Sequence, residues 1–436
     1  MISSRHQDYL DTLPRDWQLV PMQLLGAIYS GGTPSRDISH FWNGTVAWVT
    51  PGEITALNGK YLTETREYIS DAGFSSSSAQ LMPVGSLLVT TRATIGLVAI
   101  SQILVCTNQG FKSLALNSSS YADFYYYLLR FVSSEMIRLS SGSTFDEISK
   151  SDFSSIVVPR PRIDEQKQIA SILDTVDEAI ATTTAHIAKL KQAKAGLLHD
   201  LLTCGIDENG ELRDPVRHPE QFKDSELGRI PKDWEIVKVA QVGDSKLGRQ
   251  RAPQHQLGKH FVPYLRVANV LDGWIDYSDI LEMNFTPQEQ QVYKINNRDI
   301  LLNEGQSLEL TGRSAIYYDK SGQYCFQNTL IRFRCNSNSL PEYCQTVFKY
   351  WLDAGRFMRV ARQTTSMAHL GCDRFAKMLF PLPILKEQED IVKYLSKYES
   401  LIQTKKTQHQ KLELLKQGLM SDLLTGKVRV TPTQEA

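Results

Sequence analysis

The chain has no apolar run of the roughly 18 residues that a membrane helix needs, and its opening, MISSRHQDYL, contains no apolar signal core. Neither a membrane span nor a secretory leader is expected. Cysteine is sparse: Cys106, Cys204, Cys325, Cys335, Cys344 and Cys372 fall at irregular spacings, with no CxxC. That pattern excludes a disulfide framework or a thiolate zinc site and reads as reduced thiols in a cytosolic protein. No sign of charge is in excess, since 48 Lys and Arg face 48 Asp and Glu. The whole-chain charge therefore announces no polyanionic partner, although a balanced total can conceal local asymmetry.

Catalytic signatures are missing as well. The GK pairs at 59, 258 and 426 precede Tyr, His and Val, so none belongs to a phosphate-binding GxxxxGK[ST] loop. GxGxxG, HExxH and GxSxG do not occur, nor does the Asn/Asp-Pro-Pro-aromatic tetrapeptide of an amino-methyltransferase. Their absence across 436 residues favours binding over chemistry.

What the chain does contain is a sequence written twice. LPRDWQLVPMQLLG (13–26) returns as IPKDWEIVKVAQVG (230–243), sharing Pro14/Pro231, Asp16/Asp233, Trp17/Trp234, Val20/Val237 and Gly26/Gly243. PRPRIDEQKQIA (159–170) returns as PLPILKEQEDIV (381–392), and LLHDLLT (197–203) as LMSDLLT (419–425). Between these fixed points the match fades. A duplication that merely enlarged one enzyme would not keep its ends and lose its middle, whereas a scaffold carrying two different reading heads would.

From Asp164 to Thr203 there is no proline and one glycine, Gly196. Apolar residues step by four and three through Ile169, Leu173, Val176, Ile180, Ile187, Leu190, Leu197 and Leu201, interrupted by Thr183 and Lys194. The second half repeats the stripe with Ile391, Leu395, Tyr398, Ile402, Leu412, Leu419 and Leu423, interrupted by Lys405, His409 and Lys416. A sustained 3.5-residue period predicts a coiled-coil seam. Forty residues make a helix of roughly 60 Å, more than one globular face covers. The simplest solution pairs the two helices antiparallel. The prolines start each helix, and Asp164, Glu165 and Glu387 suit its positive N-terminal end. His186 and His409 lie on these helices without a second ligand at metal spacing, so no metal site is expected.

Both middles mix short β-rich runs, broken by Gly, Pro and Asn, with helical stretches such as YADFYYYLLRFVSSEMIRL and LPEYCQTVFKYWLDAGRFMRV. An α+β domain is predicted for each. Residues 238–386 hold 19 Lys and Arg against 13 Asp and Glu, while residues 1–163 hold 12 against 13. The surplus in the second middle suits phosphate attraction, and a solvated surface accounts for it equally well. Candidate nucleic-acid contacts combine small polar groups with Arg or Gln. They are Thr33, Ser35 and Arg36 in SGGTPSR, and Thr91, Arg92 and Thr94 in TTRAT. In the second middle they are Arg249, Gln250, Arg251 and Gln254 in LGRQRAPQHQ, with Arg266 and Arg313. For each taken singly, an ordinary surface role competes with base contact.

With these phrases the chain resembles the specificity (S) subunit of type I restriction-modification systems, over nearly its full length. The resemblance rests on LPRDW/IPKDW, the two Pro-x-Pro-x-x-x-Glu-Gln phrases and the paired closing motifs. GSTFDEISKSDFSSIVVPRP (142–161), PYLRVANV (263–270), TTRATIG (90–96) and ILLNEGQS (300–307) also look like this family. One departure is Cys204, which stands where the second terminus has Gly426.

The resemblance implies an α+β fold with a pseudo-twofold internal repeat: two globular target-recognition domains separated by two long antiparallel coiled-coil helices. The expected division is 1–163, a first target-recognition domain; 164–204, the central helix; 205–385, a second target-recognition domain; 386–425, the C-terminal helix; and 426–436, a tail. The implied function is to read a bipartite site in double-stranded DNA, the helices acting as a ruler between half-sites. The chain itself would be non-catalytic, with no cofactor. It would direct two adenine methyltransferase (M) subunits, which bind S-adenosylmethionine, and restriction (R) subunits, which use ATP and Mg. The exposed helix flanks and the Glu-Gln ends would form part of the methyltransferase dock. Two other classes stay open: a coiled-coil protein–protein adaptor without DNA binding, favoured by the near-neutral first middle, and a self-contained nuclease or methyltransferase.

Overall fold

A computed structural model of the chain describes residues 4–92, 94–140, 147–253, 257–363 and 367–430. It divides into two compact units, Met1–Ala185 with Thr407–Ala436, and His186–Lys406. The division falls inside the long helices, so each unit takes part of both. Among the described residues no helix is long and apolar enough to cross a membrane.

In the first unit a five-stranded sheet runs in the order Gly26–Ser30, Lys112–Leu116, Leu87–Val89, Val98–Ser101, Tyr61–Leu62, antiparallel except at the last pair. A three-stranded sheet of Glu67–Ile69, Trp42–Val49 and Cys106–Thr107 lies beside it in the same unit. Helix Ala122–Phe131 is apolar nearly all round, and accordingly its residues 123–129 are all buried. Met22, Leu25, Leu87, Leu114, Phe124, Leu128 and Phe153 form the core with Ile169 and Leu173 of the first long helix and Leu423 and Leu424 of the second.

The second unit repeats the plan. Gly243–Leu247, Leu330–Cys335, Ile300–Asn303 and Ser314–Ile316 form a four-stranded antiparallel sheet. Leu281–Asn284, Phe261–Leu265 and Cys325–Phe326 form a three-stranded one. Helix Pro341–Asp353 packs Tyr343, Val347, Phe348 and Trp351 into a core with Leu198, Leu201, Leu202, Ile391 and Leu395 of the long helices. In each unit the opening phrase forms a strand paired antiparallel with the strand at the double proline: Gln18–Pro21 with Val157–Arg160, and Glu235–Lys238 with Leu379–Leu382.

The long helices span Ile163–Thr203 and Leu385–Leu424. In the first unit the start of one shares a core with the end of the other, and Asp177 meets Lys416 at 2.6 Å. In the second unit Lys194 meets Glu399 at 2.5 Å. Both arrangements are antiparallel. Of the predicted seam residues, Ile169, Leu173, Val176, Ile391, Leu395 and Ile402 are buried. Ile180, Ile187, Leu190, Tyr398, Leu412 and Leu419 are half-buried. The polar interruptions are accommodated differently. Lys194 and Lys416 form the ion pairs, while Thr183 is buried and its hydroxyl donates to the Ala179 carbonyl, leaving its methyl to pack.

Each long helix ends at a glycine with positive φ, Gly205 at 67° and Gly426 at 66°. A Cβ on Gly205 would come within 2.7 Å of Trp234, and one on Gly426 within 2.4 Å of Pro14. Glycine is thus required at the place where each helix end meets an opening phrase. Gly205, one residue beyond Cys204, supplies what Gly426 supplies in the second half. The apparent Cys-for-Gly departure is therefore a one-residue insertion, and the glycine is not lost.

The repeated Glu-Gln pairs serve these junctions. Glu165 accepts from the Trp17 indole at 3.0 Å and from Arg429, whose guanidinium also grips Asp16. Glu387 accepts from Arg213, which also holds Asp233, and from the Ile206 backbone amide. Gln166 bonds the Tyr121 amide and the Ser119 and Pro161 carbonyls, and Gln388 bonds the Leu340 amide and the Asn338 and Pro383 carbonyls. All four side chains are buried. They fasten the helix starts, and the expectation that the Glu-Gln ends form part of a partner dock is corrected, because these side chains are enclosed.

Candidate nucleic-acid interface

In the first unit the loop after strand Gly26–Ser30 begins with Gly31, whose Cβ would lie 1.9 Å from the Asn108 carbonyl oxygen. That close approach lays SGGTPSR on the TNQG turn. The Thr33 hydroxyl donates to the Gln109 carboxamide at 2.6 Å. Ser35 and Arg36 are exposed. The Arg36 guanidinium stacks 3.7 Å over Trp42 and grips Glu67, and these hydrogen bonds hold the Glu67 carboxyl below its usual range. The Thr91 amide donates to the Gly110 carbonyl at 2.8 Å, bringing TTRAT to the same turn. Arg92 is exposed and 3.9 Å from Glu147, which also accepts at 3.1 Å from the buried Lys112. Thr94 is exposed. The loop at 30–36, residues 90–92, the turn at 107–111 and the strand end at Lys112 therefore converge, with cations and acids in near balance.

Thr91 does not belong among the exposed contacts. It is fully buried, and its hydroxyl faces the Gly110 carbonyl. Alternation along an extended segment sends Thr91 inward and Arg92 outward. Gln109, Lys112 and Glu147 were not anticipated from the sequence. The Asn-Gln-Gly turn, in which Asn108 accepts from the Gly110 amide, is the local signal that points to Gln109.

In the second unit the corresponding turn is FQNT. The Arg249 amide donates to the Phe326 carbonyl, and the Asn328 amide donates to the Arg249 carbonyl at 3.0 Å. The Arg249 side chain is buried, held 2.7 Å from Glu289 and against Phe285, with a further hydrogen bond to the Asn284 carbonyl. It ties two sheets of the unit together, so the expectation that it reads a base is corrected. Gln250 and Arg251 follow it and are exposed. Gln254 lies outside the described residues. Arg266 is half-buried and paired with Asp279. Arg313 is half-buried, with its Nε enclosed and unpartnered, and this desolvation lowers its pKa while Asp272 opposes the shift.

A small sheet of Gly305–Gln306, Ala368–His369 and Arg362–Gln363 completes this surface. Glu304 accepts from His369 Nδ1 at 3.0 Å and from the Gly371 amide, fixing the sheet to the turn that follows it. Arg362 and Gln363 are exposed and were missed, because their two-residue strand is too short to show an alternation, although it pairs with Ala368–His369 only a few residues on. Of the predicted residues, Ser35, Arg36, Arg92, Thr94, Gln250 and Arg251 are exposed, and Thr33, Arg266 and Arg313 are partly so. Arg and Gln at loop tips can hydrogen-bond base edges or phosphates, and the neighbouring acids limit non-specific attraction.

Comparison with known proteins gives a consistent result. Residues 14–192 and 231–414 each match the family described as Type I restriction modification DNA specificity domain. The type I restriction enzyme MjaIX specificity subunit of Methanocaldococcus jannaschii is 28% identical over 307 residues, covering 68% of each chain. Among solved structures, a chain from work on complex assembly and conformational transition of the type I R-M system gives a TM-score of 0.62 at 16% identity. That match covers 95% of this chain and 99% of that one. The S subunit of a type I restriction-modification system from M. genitalium gives 0.52 at 14% identity, over 94% and 98%.

Proposed function

The chain belongs to the type I restriction-modification DNA specificity family, and from that premise we propose that it reads a bipartite site in double-stranded DNA, one half-site through each unit. The observation that carries this reading is that the family match occurs twice, once per half, while the loop residues differ between halves. In this reading residues 1–163 and 205–385 are the two target-recognition domains, and the helices at 164–204 and 386–425 hold their separation, with a tail beyond. The loops of each enter the major groove. Arg36 and Arg92 act in the first, and Gln250, Arg251, Arg362 and Gln363 in the second. Phosphate takes over from Glu67 and Glu147 as the partner of the first pair, which lets a near-neutral domain bind a polyanion.

The chain is the recognition component and carries no chemistry of its own. Two adenine methyltransferase subunits supply S-adenosylmethionine-dependent methylation, and restriction subunits supply ATP- and Mg-dependent cleavage, all in the cytoplasm. The methyltransferases dock on exposed flanks of the long helices, since the Glu-Gln ends are buried.

Replacing residues 25–145 by the equivalent segment of a relative tests the independence of the halves. Gel-shift selection should return a site changed in one half only, with affinity falling as salt rises. A change in both halves would contradict the assignment of one half-site per unit. Absence of salt-dependent affinity would favour a protein–protein adaptor.

A further inference from the structure

The six cysteines are not equivalent. Cys106, Cys204, Cys325 and Cys372 stand singly, and burial pushes each thiol up, to about 12 for Cys106 and Cys325. Cys335 and Cys344 lie with their sulfurs 3.5 Å apart. Cys335 ends the strand Leu330–Cys335, and Cys344 sits one turn into helix Pro341–Asp353. The turn between them is anchored by the Asn336 amide donating to the Val242 carbonyl at 3.0 Å, so the two elements hold the sulfurs in place.

Access to the pair is one-sided. Cys344 is fully buried. Cys335 is half-buried and lines two surface hollows, of about 490 and 240 Å³. Arg334 lines both hollows, and Arg298 lines the second. The hydrogen bond shared with Cys344, aided by Ser339 and Arg298 and opposed by burial and Glu342, holds Cys335 below the usual thiol range, while burial raises Cys344. A half-buried cysteine lining a surface hollow, 3.5 Å from a fully buried one, is the arrangement of a reacting and a resolving cysteine.

We propose that Cys335 and Cys344 are an oxidative modification site, at which a hydroperoxide oxidises Cys335 and Cys344 closes an intrachain disulfide. The Cys335 thiolate attacks the terminal peroxide oxygen. An S–O bond forms, the O–O bond breaks, and the departing oxygen leaves as water or alcohol after taking a proton. The Cys344 sulfur then attacks Cys335, the S–S bond forms, the S–O bond breaks, and water leaves with the Cys344 proton. Two thiols and one peroxide thus give one disulfide, with the sulfurs closing by about 1.5 Å. A dithiol reverses the step. The bond would lock the end of a central strand to the helix that packs on it, in the unit that also carries Gln250, Arg251, Arg362 and Gln363.

The test uses the full chain, treated with hydrogen peroxide under native conditions, blocked with N-ethylmaleimide and mapped by mass spectrometry. Free thiols should fall from six to four, and the only linked peptides should join Cys335 to Cys344, reverting with dithiothreitol. Cys344→Ala should leave a sulfenic acid on Cys335 that dimedone traps, and Cys335→Ser should leave the remaining thiols unoxidised. Persistence of all six thiols, a link involving another cysteine, or oxidation of Cys335 that stops short of a disulfide in the unsubstituted chain would overturn the proposal. The unsubstituted chain decides between these outcomes even if a variant fails to fold.

Discussion

Lys416 reaches Asp177 at 2.6 Å across the paired helices of the first unit. Lys194 and Glu399, which make the matching pair in the second unit, stand 222 residues before Lys416 and 222 after Asp177. The same offset separates Glu165 from Glu387. One duplicated pattern of acid and base therefore satisfies both units, each half of the chain lending its acid to one ion pair and its lysine to the other. In the first unit the pair is reinforced, since the Tyr127 hydroxyl donates to both Asp174 and Asp177 at 2.7 Å.

The Lys194–Glu399 pair is partly exposed, so its contribution is small and measurable only by difference. A double-mutant cycle with Lys194→Ala and Glu399→Ala, followed by urea unfolding, should give a coupling of about 0.2–1 kcal/mol. The charge-exchanged chain, Lys194→Glu with Glu399→Lys, should recover most of what either single reversal loses. Equal losses in single and exchanged chains would mean that the helices do not meet there.

The two opening tryptophans differ in one atom's environment. The Trp17 indole donates to Glu165, whereas the Trp234 indole N–H is buried without a hydrogen-bond partner. Phenylalanine removes similar volume from both sites but removes a hydrogen bond from only one. Trp17→Phe should therefore cost about 1–2 kcal/mol more than Trp234→Phe in denaturant unfolding. Equal costs would show that the Trp17 hydrogen bond contributes nothing net.

Arg249 and Arg251 separate packing from contact. Arg249→Ala leaves Glu289 without its cation and opens a buried space, so it should lower stability by about 3 kcal/mol or more. Arg251→Ala should leave the melting curve unchanged and weaken DNA binding by about 1–3 kcal/mol if it reads a base. Arg92→Ala should behave like Arg251→Ala. Calorimetry and filter binding on the same samples distinguish the two effects.

The scaffold was legible because its signals are local and repeated. A proline pair, a Glu-Gln dipeptide and a forty-residue apolar period each constrain the chain within a few turns. The sites were less legible, because a side chain's availability depends on partners far away in sequence. Arg249 and Arg251 are chemically identical and two residues apart, yet only Arg249 meets Glu289, forty positions later. Thr91 and Arg92 divide in the same way on strand parity. Lys194 and Lys416 look like defects in a seam until the opposite helix supplies an acid to each. Arg362 and Gln363 gave no signal because their strand is only two residues long, too short for a period to show, even though its partner Ala368–His369 is close in sequence.

Recognition of a split site by two unlike units is tested most directly by methylome sequencing of a host carrying the chain with its methyltransferase. The expected result is a split motif that depends on the chain, with one modified adenine in each half and an unread gap between the halves. A continuous motif, or a methylome indifferent to the chain, would contradict it.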